Sequence, residues 1–348
     1  MDICYLCGNI LTEDNVSEEH IIINALGGKL KSRKLLCKDC NNKTGQNADS
    51  RLAKQFEFFS AFLQIDRDRG KPLDFEFNQR NNGDNYVLKP TGEISLKHPN
   101  LKKVVTKNGA KYNIRANNSM ELNAIIEKIE SRYNGKLITL DRGTDDTVID
   151  LDKDLVFNTT GFLGILKMAI NLYIEKTSDI VSVKEAIEDL KTDKIRKVDH
   201  IILENDLYNP SKNEISHLIY INGSDMHKKL YAIIELFNTK QYIVKLNDNF
   251  QGNNVEIIYI FDIVKKDIIK HDIINIPPAD FIFAYEYAKS KPNFGFVQKK
   301  MERIMDIRYK LNIVNYIFKE YYQEQNTVLR DFLTNNEKII KESLMDAL

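Results

Sequence analysis

The sequence predicts an α+β protein, a small metal-stapled N-terminal unit followed by a larger mixed region with antiparallel strands and C-terminal helices. Three observations predict it. All four cysteines lie within the first 40 residues as two C-x-x-C pairs, Cys4/Cys7 and Cys37/Cys40. Short alternating apolar runs bounded by Gly, Pro and Asn recur between residues 73 and 115 and again between 200 and 261. Apolar residues at helical spacing fill the stretches near 52–63, 120–133, 160–172 and beyond 297. A chain of 348 residues exceeds the usual single-domain size, so we expect one unit at 1–65 and a second at 70–348, with a subdivision near 140–160.

The N-terminal unit is where chemistry is legible. Two residues between cysteines let both sulfurs point at one ion, and two such pairs complete a tetrahedral S₄ site for structural zinc on Cys4, Cys7, Cys37 and Cys40. An S₄ zinc has no open position, so it cannot activate water. Hydrolysis needs a second, hard cation held through oxygen, which Glu19 and the amide oxygen of Asn41 can supply. His20, neutral near pH 7, can then take the proton from an attacking water.

The run Cys4-Tyr5-Leu6-Cys7, Glu19-His20, Asn24-Ala25-Leu26-Gly27-Gly28 and Cys37-Lys38-Asp39-Cys40-Asn41 resembles the four-cysteine subgroup of the HNH endonucleases, over about the first 60 residues. The resemblance implies a ββα-metal fold, with the acid and the histidine on the first strand and Asn41 at the start of the helix. It implies His20 as general base, Glu19 and Asn41 as ligands of Mg²⁺ or Mn²⁺, and double-stranded DNA as substrate. Some relatives serve as effectors in bacterial anti-phage defence, with a C-terminal domain that senses a small nucleotide activator. Ser32 stands where the family often has Asn, and Ile23 where it often has Pro; neither position carries a metal or a proton. A different class stays open beside this one, a zinc-ribbon module that grips nucleic acid without cutting it.

Within the unit, Ile21–Ile23 read as a strand, Gly27-Gly28 as the return turn and Lys34–Cys37 as the second strand. A helix should follow Asn41, interrupted early at Gly45, with Leu52, Phe56, Phe59 and Phe62 or Leu63 forming a core face rather than a base-stacking platform. Lys29, Lys31, Arg33, Lys34, Lys38 and Lys43 stand against one acid, Asp39, in that stretch, and we read them as phosphate contacts rather than a solvated hairpin.

Beyond residue 70 the reading is organisational. Phe75–Phe77, Tyr86–Leu88, Ile94–Leu96 and Tyr112–Ile114 look like one antiparallel meander. From Lys97 to Arg115 there are six basic residues and no acid, which suits either a nucleic-acid backbone or a lysine-guarded sheet edge. Met120–Tyr133 reads as a helix, the acidic run Asp141–Asp154 as a solvated linker, and Thr160–Leu172 as a helix apolar on nearly every side, buried at the centre of the second unit. Ser182–Leu190 reads as a short helix. Strands are expected at 200–203, 216–221, 228–236, 241–246 and 255–261, then helices at 297–323 and 327–344. The histidines at 98, 200, 217, 227 and 271 lack metal spacing and read as structural.

Lys+Arg and Asp+Glu both total 50, so any nucleic-acid surface must be local rather than global. No run of about 18 apolar residues exists and the chain opens on a cysteine pair rather than a signal peptide, so no membrane partner is expected. Reduced, metal-binding cysteines fit a cytoplasmic protein.

Overall fold

A computed structural model describes residues 2–68, 74–78, 83–89, 93–107, 109–133, 158–203, 205–289, 294–322 and 334–348. The acidic run 141–154 lies outside the described residues, as do residues 323–333. The architecture is α+β. A two-stranded hairpin, β1 (Glu19–His20) and β2 (Lys31–Ser32), leads into helix α1 (Lys38–Thr44). The helical path then passes through one π-helical turn at Gly45–Asp49, α2 (Ser50–Gln55) and α3 (Glu57–Phe62).

The hairpin differs from expectation in both strands. Its pairs are Glu19 with Ser32 and His20 with Lys31. Ile21, Ile22 and Ile23 are all buried but lie outside β1, where the chain turns. It does so through a 3₁₀ turn at Asn24–Leu26, closed by Gly27 at φ 90°. Leu35, Leu36 and Cys37 are likewise buried together, and of these only Cys37 pairs, with Val16. At Gly45 the helix widens to π geometry instead of breaking.

Next come a three-stranded meander, β3 (Phe75–Asn78), β4 (Asn85–Leu88) and β5 (Ile94–Leu96), and a separate hairpin, β6 (Asn100–Thr106) with β7 (Gly109–Arg115). Tyr112–Ile114 therefore belongs to its own ribbon and pairs with the lysine-rich strand at 101–103 rather than with the meander. Helix α4 (Ser119–Tyr133) follows. The basic run is less free than its composition suggested: Lys97 pairs with Glu76, Arg115 with Asp84, and Lys103 lies over the Tyr133 ring.

The main sheet has six antiparallel strands: β8 (Val198–Ile201), β9 (Ser216–Ser224), β10 (Lys229–Leu236), β11 (Lys240–Asn247), β12 (Val255–Asp262) and β13 (Asp267–Ile269). Their spatial order is β13-β12-β9-β10-β11-β8. Both faces are covered, and the strands divide their side chains by alternation. Leu230, Ala232, Ile234 and Leu236 enter the large core on one face, while Tyr231 and Ile233 enter the smaller core on the other. Helix α7 (Ala279–Ala284) caps the smaller core through Ile282.

Helix α5 (Phe162–Thr177) lies in the large core and is buried from Phe162 to Ile174, as its all-round apolar pattern predicted. It touches the sheet on one side and the π turn and α2 on the other. A Cβ on Gly164 would stand 2.7 Å from that of Leu52, so glycine there is what lets the two backbones approach. The short helix α6 (Lys184–Lys191) packs beside α5, and two C-terminal helices follow, α8 (Phe294–Tyr322) and α9 (Glu337–Ala347). Of the helix expected at 327–344, residues 327–333 lie outside the described residues, and α9 covers the rest of it from Glu337.

Candidate active site and metal centre

The four cysteine sulfurs all lie within 4.8 Å of one another, with Cys7 and Cys37 Sγ 3.8 Å apart. A tetrahedron with zinc–sulfur bonds of about 2.3 Å has edges of about that length, so the donor set fits structural zinc. Local backbone holds it: the Gly8 N–H donates to Cys4 O and the Asn41 N–H donates to Cys37 O, each knuckle closing on itself.

Successive residues of a strand point to opposite faces, so the hairpin sends Glu19 and His20 into different surroundings. Glu19 is 3 % exposed and faces α5. Its Oε1 lies 2.7 Å from Lys167 Nζ and accepts from Asn171 Nδ2 at 3.0 Å. Lys167, 1 % exposed, also reaches Asp49 Oδ2 at 2.7 Å. Asn171 in turn accepts from the Tyr5 hydroxyl at 2.7 Å. One turn further along α5, Glu175 takes the hydroxyl of Ser32, the cross-strand partner of Glu19. Lys167, Asn171 and Glu175 recur every four residues, so a single polar stripe on α5 reads the inner face of the hairpin.

Two carboxylates here share one ammonium. Burial raises the Glu19 pKa against the opposing pull of Lys167, while Asp49 and Glu19 overcome burial to hold Lys167 above its ordinary value. The cluster keeps one uncompensated negative charge, and Asp49 Oδ1 is buried without a hydrogen-bond partner. That donor chemistry fits a hard cation, with the ammonium standing between the two carboxylates. The half-buried Asn41 lies in α1, and its side chain forms no hydrogen bond among the described residues.

His20 faces the other way. Its Nε2 lies 3.4 Å from Asp68 Oδ2, without hydrogen-bond geometry. Asp68 is gripped by Lys31 at 2.8 Å and Lys29 at 3.0 Å, and its N–H donates to the Asn24 side chain at 2.9 Å. The two lysines hold its carboxyl well below the ordinary range. Burial, then Lys31, lowers the His20 pKa, which keeps the imidazole neutral. Of the other basic residues read as phosphate contacts, Arg33 pairs with Glu13 and Lys38 donates to Asp14 O, while Lys34 and Lys43 are exposed.

The hairpin, zinc cradle and helix form an HNH endonuclease domain. Residues 4–57 match the family model described as HNH endonuclease. No curated protein and no solved structure matches the chain. No helix among the described residues is long and apolar enough to cross a membrane.

Sequence reasoning missed Asp49, Asp68, Lys167 and Asn171. A signal existed for the last two: a lysine and an asparagine four apart are the polar residues within the apolar run from Phe162 to Ile174. Asp68 carries no such mark, because its role depends on where the chain goes after α3. Of the histidines read as structural, His200 and His217 are buried and hydrogen-bonded, while His271 pairs with Glu214 at 2.9 Å.

Proposed function

We propose that the N-terminal domain hydrolyses phosphodiester bonds, with His20 as general base and double-stranded DNA as substrate. The observation that carries this reading is His20 itself, neutral and partly exposed, beside two lysines already holding an anion. Its imidazole takes the proton from an attacking water. Lys29 and Lys31 steady the phosphate, and Arg33, Lys34, Lys38 and Lys43 extend the basic surface along the backbone, which positions the duplex without reading its sequence. Glu19, Asp49 and Asn41 are the groups that would hold Mg²⁺ or Mn²⁺. When bound, such an ion offsets the charge developing on the phosphate and the leaving oxygen. Zinc on the four cysteines ties hairpin to helix.

Asp68 favours a refinement, a nuclease whose resting state is closed. Its carboxylate sits on the lysines and histidine that the scissile phosphate needs, so cutting waits on its displacement. Such a latent nuclease suits a cytoplasmic effector of bacterial anti-phage defence, released by a small-molecule activator.

The test is full-length protein with supercoiled plasmid and Mg²⁺ or Mn²⁺. Wild type, or Asp68→Ala if the resting state is tightly closed, is expected to nick. His20→Ala should lose about 10²–10⁴-fold of the rate with zinc content and melting temperature unchanged. Nicking by His20→Ala at an undiminished rate removes His20 as base. Intact plasmid with both wild type and Asp68→Ala leaves the non-cutting zinc-ribbon module as the reading.

A further inference from the structure

A cavity of about 820 Å³ opens where the hairpin turn, the end of α3, the edge of the main sheet and the two C-terminal helices meet. Ile65, Phe261, Val314 and Met345 give it an apolar lining. Arg308 of α8 also lines it, and that side chain is anomalous. It is 2 % exposed, yet Nε and Nη2 are buried without a hydrogen-bond acceptor. Its one described contact is the Phe62 ring, with Cζ 6.0 Å from the centroid, at the outer limit of a cation–π interaction. Burial alone pushes the guanidinium down to about 10, with no carboxylate offsetting it. Four acids line the cavity, Asp66, Glu337, Glu342 and Asp346; Asp66 is taken by Lys266, Glu337 by Lys341, Asp346 accepts from Asn213, and none of the four pairs with Arg308.

A buried charge without a partner is among the most costly arrangements a fold can hold, and side chains in that state are normally paired. A guanidinium presents a planar fork of donors that matches a phosphate or carboxylate in two-point contact. The volume suits a small organic molecule rather than a lone ion, and the lining suits an apolar body. We propose that this cavity is a binding site for a small organic anion, its phosphate or carboxylate head on Arg308 and its apolar body against Ile65, Phe261 and Val314. The site shares Lys29 with the His20 surface but does not rest on the nuclease reading. Its wall includes Lys29 and Asp66, so an occupant lies against the chain segments that carry Asp68 to His20.

The test is thermal melting of the full-length chain with phenyl phosphate, benzoate and inorganic phosphate, each against sodium chloride of equal ionic strength. A ligand of the native state raises the melting temperature saturably. Phenyl phosphate or benzoate is expected to do so at concentrations at least tenfold below inorganic phosphate, and which of the two is stronger assigns the head group. Arg308→Met should abolish the shift while melting no lower than wild type without ligand, because it removes a charge that has no partner. Should that variant fail to fold, Arg308→Lys keeps the charge, loses the fork and should weaken the shift at least tenfold. The proposal is overturned if neither organic anion gives a saturable shift, if the Arg308 variants respond like wild type, or if inorganic phosphate is as effective as both.

Discussion

Asp68 Oδ2 lies 3.4 Å from His20 Nε2, and the same carboxylate closes a bridge between Lys29 and Lys31. A singly charged oxyanion held by two ammonium groups beside an imidazole has the partners a phosphodiester would want. Asp68→Ala should therefore tighten DNA binding at low salt and steepen its salt dependence, since Lys29 and Lys31 lose the carboxylate that competes with phosphate for them. Fluorescence anisotropy over a salt series checks both. Unchanged affinity combined with slower nicking would mean instead that Asp68 orients His20.

The zinc cradle was legible in the sequence, because C-x-x-C pairs are local and need no knowledge of the fold. The long core helix was legible for a similar reason, since apolar residues on every side leave few places for it but the interior. What surrounds Glu19 was not. Its partners lie 30 residues away at Asp49 and about 150 away at Lys167 and Asn171, and no periodicity links them. The hairpin strands were misplaced because three buried isoleucines look like strand residues until the turn at Gly27 is known.

Cys37 serves both as a sulfur donor and as the residue leading into α1, so losing zinc there loosens more than a ligand sphere. Cys37→Ser should abolish bound zinc and open the first 45 residues to protease while the six-stranded sheet stays protected. Metal analysis with limited proteolysis reads both. Wild-type protein prepared reduced and free of chelator, yet lacking zinc, would defeat this.

His217 joins the sheet to the HNH domain. Its Nε2–H donates to Leu26 O at 2.8 Å and its Nδ1 accepts the Phe237 N–H at 3.2 Å, so the bonded form is the neutral ring. Burial lowers its pKa to about 4, against about 6.5 for an unfolded chain. The depressed value means that the unfolded chain binds the proton first. Stability is complete above pH of about 6.5 and falls as pH drops toward 4, by on the order of 3 kcal/mol for this group. His200, also lowered to about 4 by burial, adds in the same direction. Melting temperature against pH should show this slope, and His217→Gln should flatten it while lowering stability at pH 7. An acid slope unchanged in His217→Gln would rule the residue out as its source.

Lys167 is the counterion that makes the Glu19–Asp49 pair tolerable inside the protein. Lys167→Met keeps the length and apolar stem but leaves the buried Glu19 and the partly exposed Asp49 without their shared counterion. Breaking a buried pair in this way costs about 3–5 kcal/mol, so the variant should melt well below wild type in EDTA. If the carboxylates form a cation site, Mn²⁺ takes the position the ammonium gave up. The variant should then recover more melting temperature from Mn²⁺ than wild type gains, and reach half its response at a lower concentration. In wild type the ion and the ammonium compete, so the Mn²⁺ needed for half-maximal nicking should be higher than for any Lys167→Met protein that retains activity. A variant that melts low and ignores Mn²⁺ would make Glu19 a structural acid and move the ligand role to Asn41 alone.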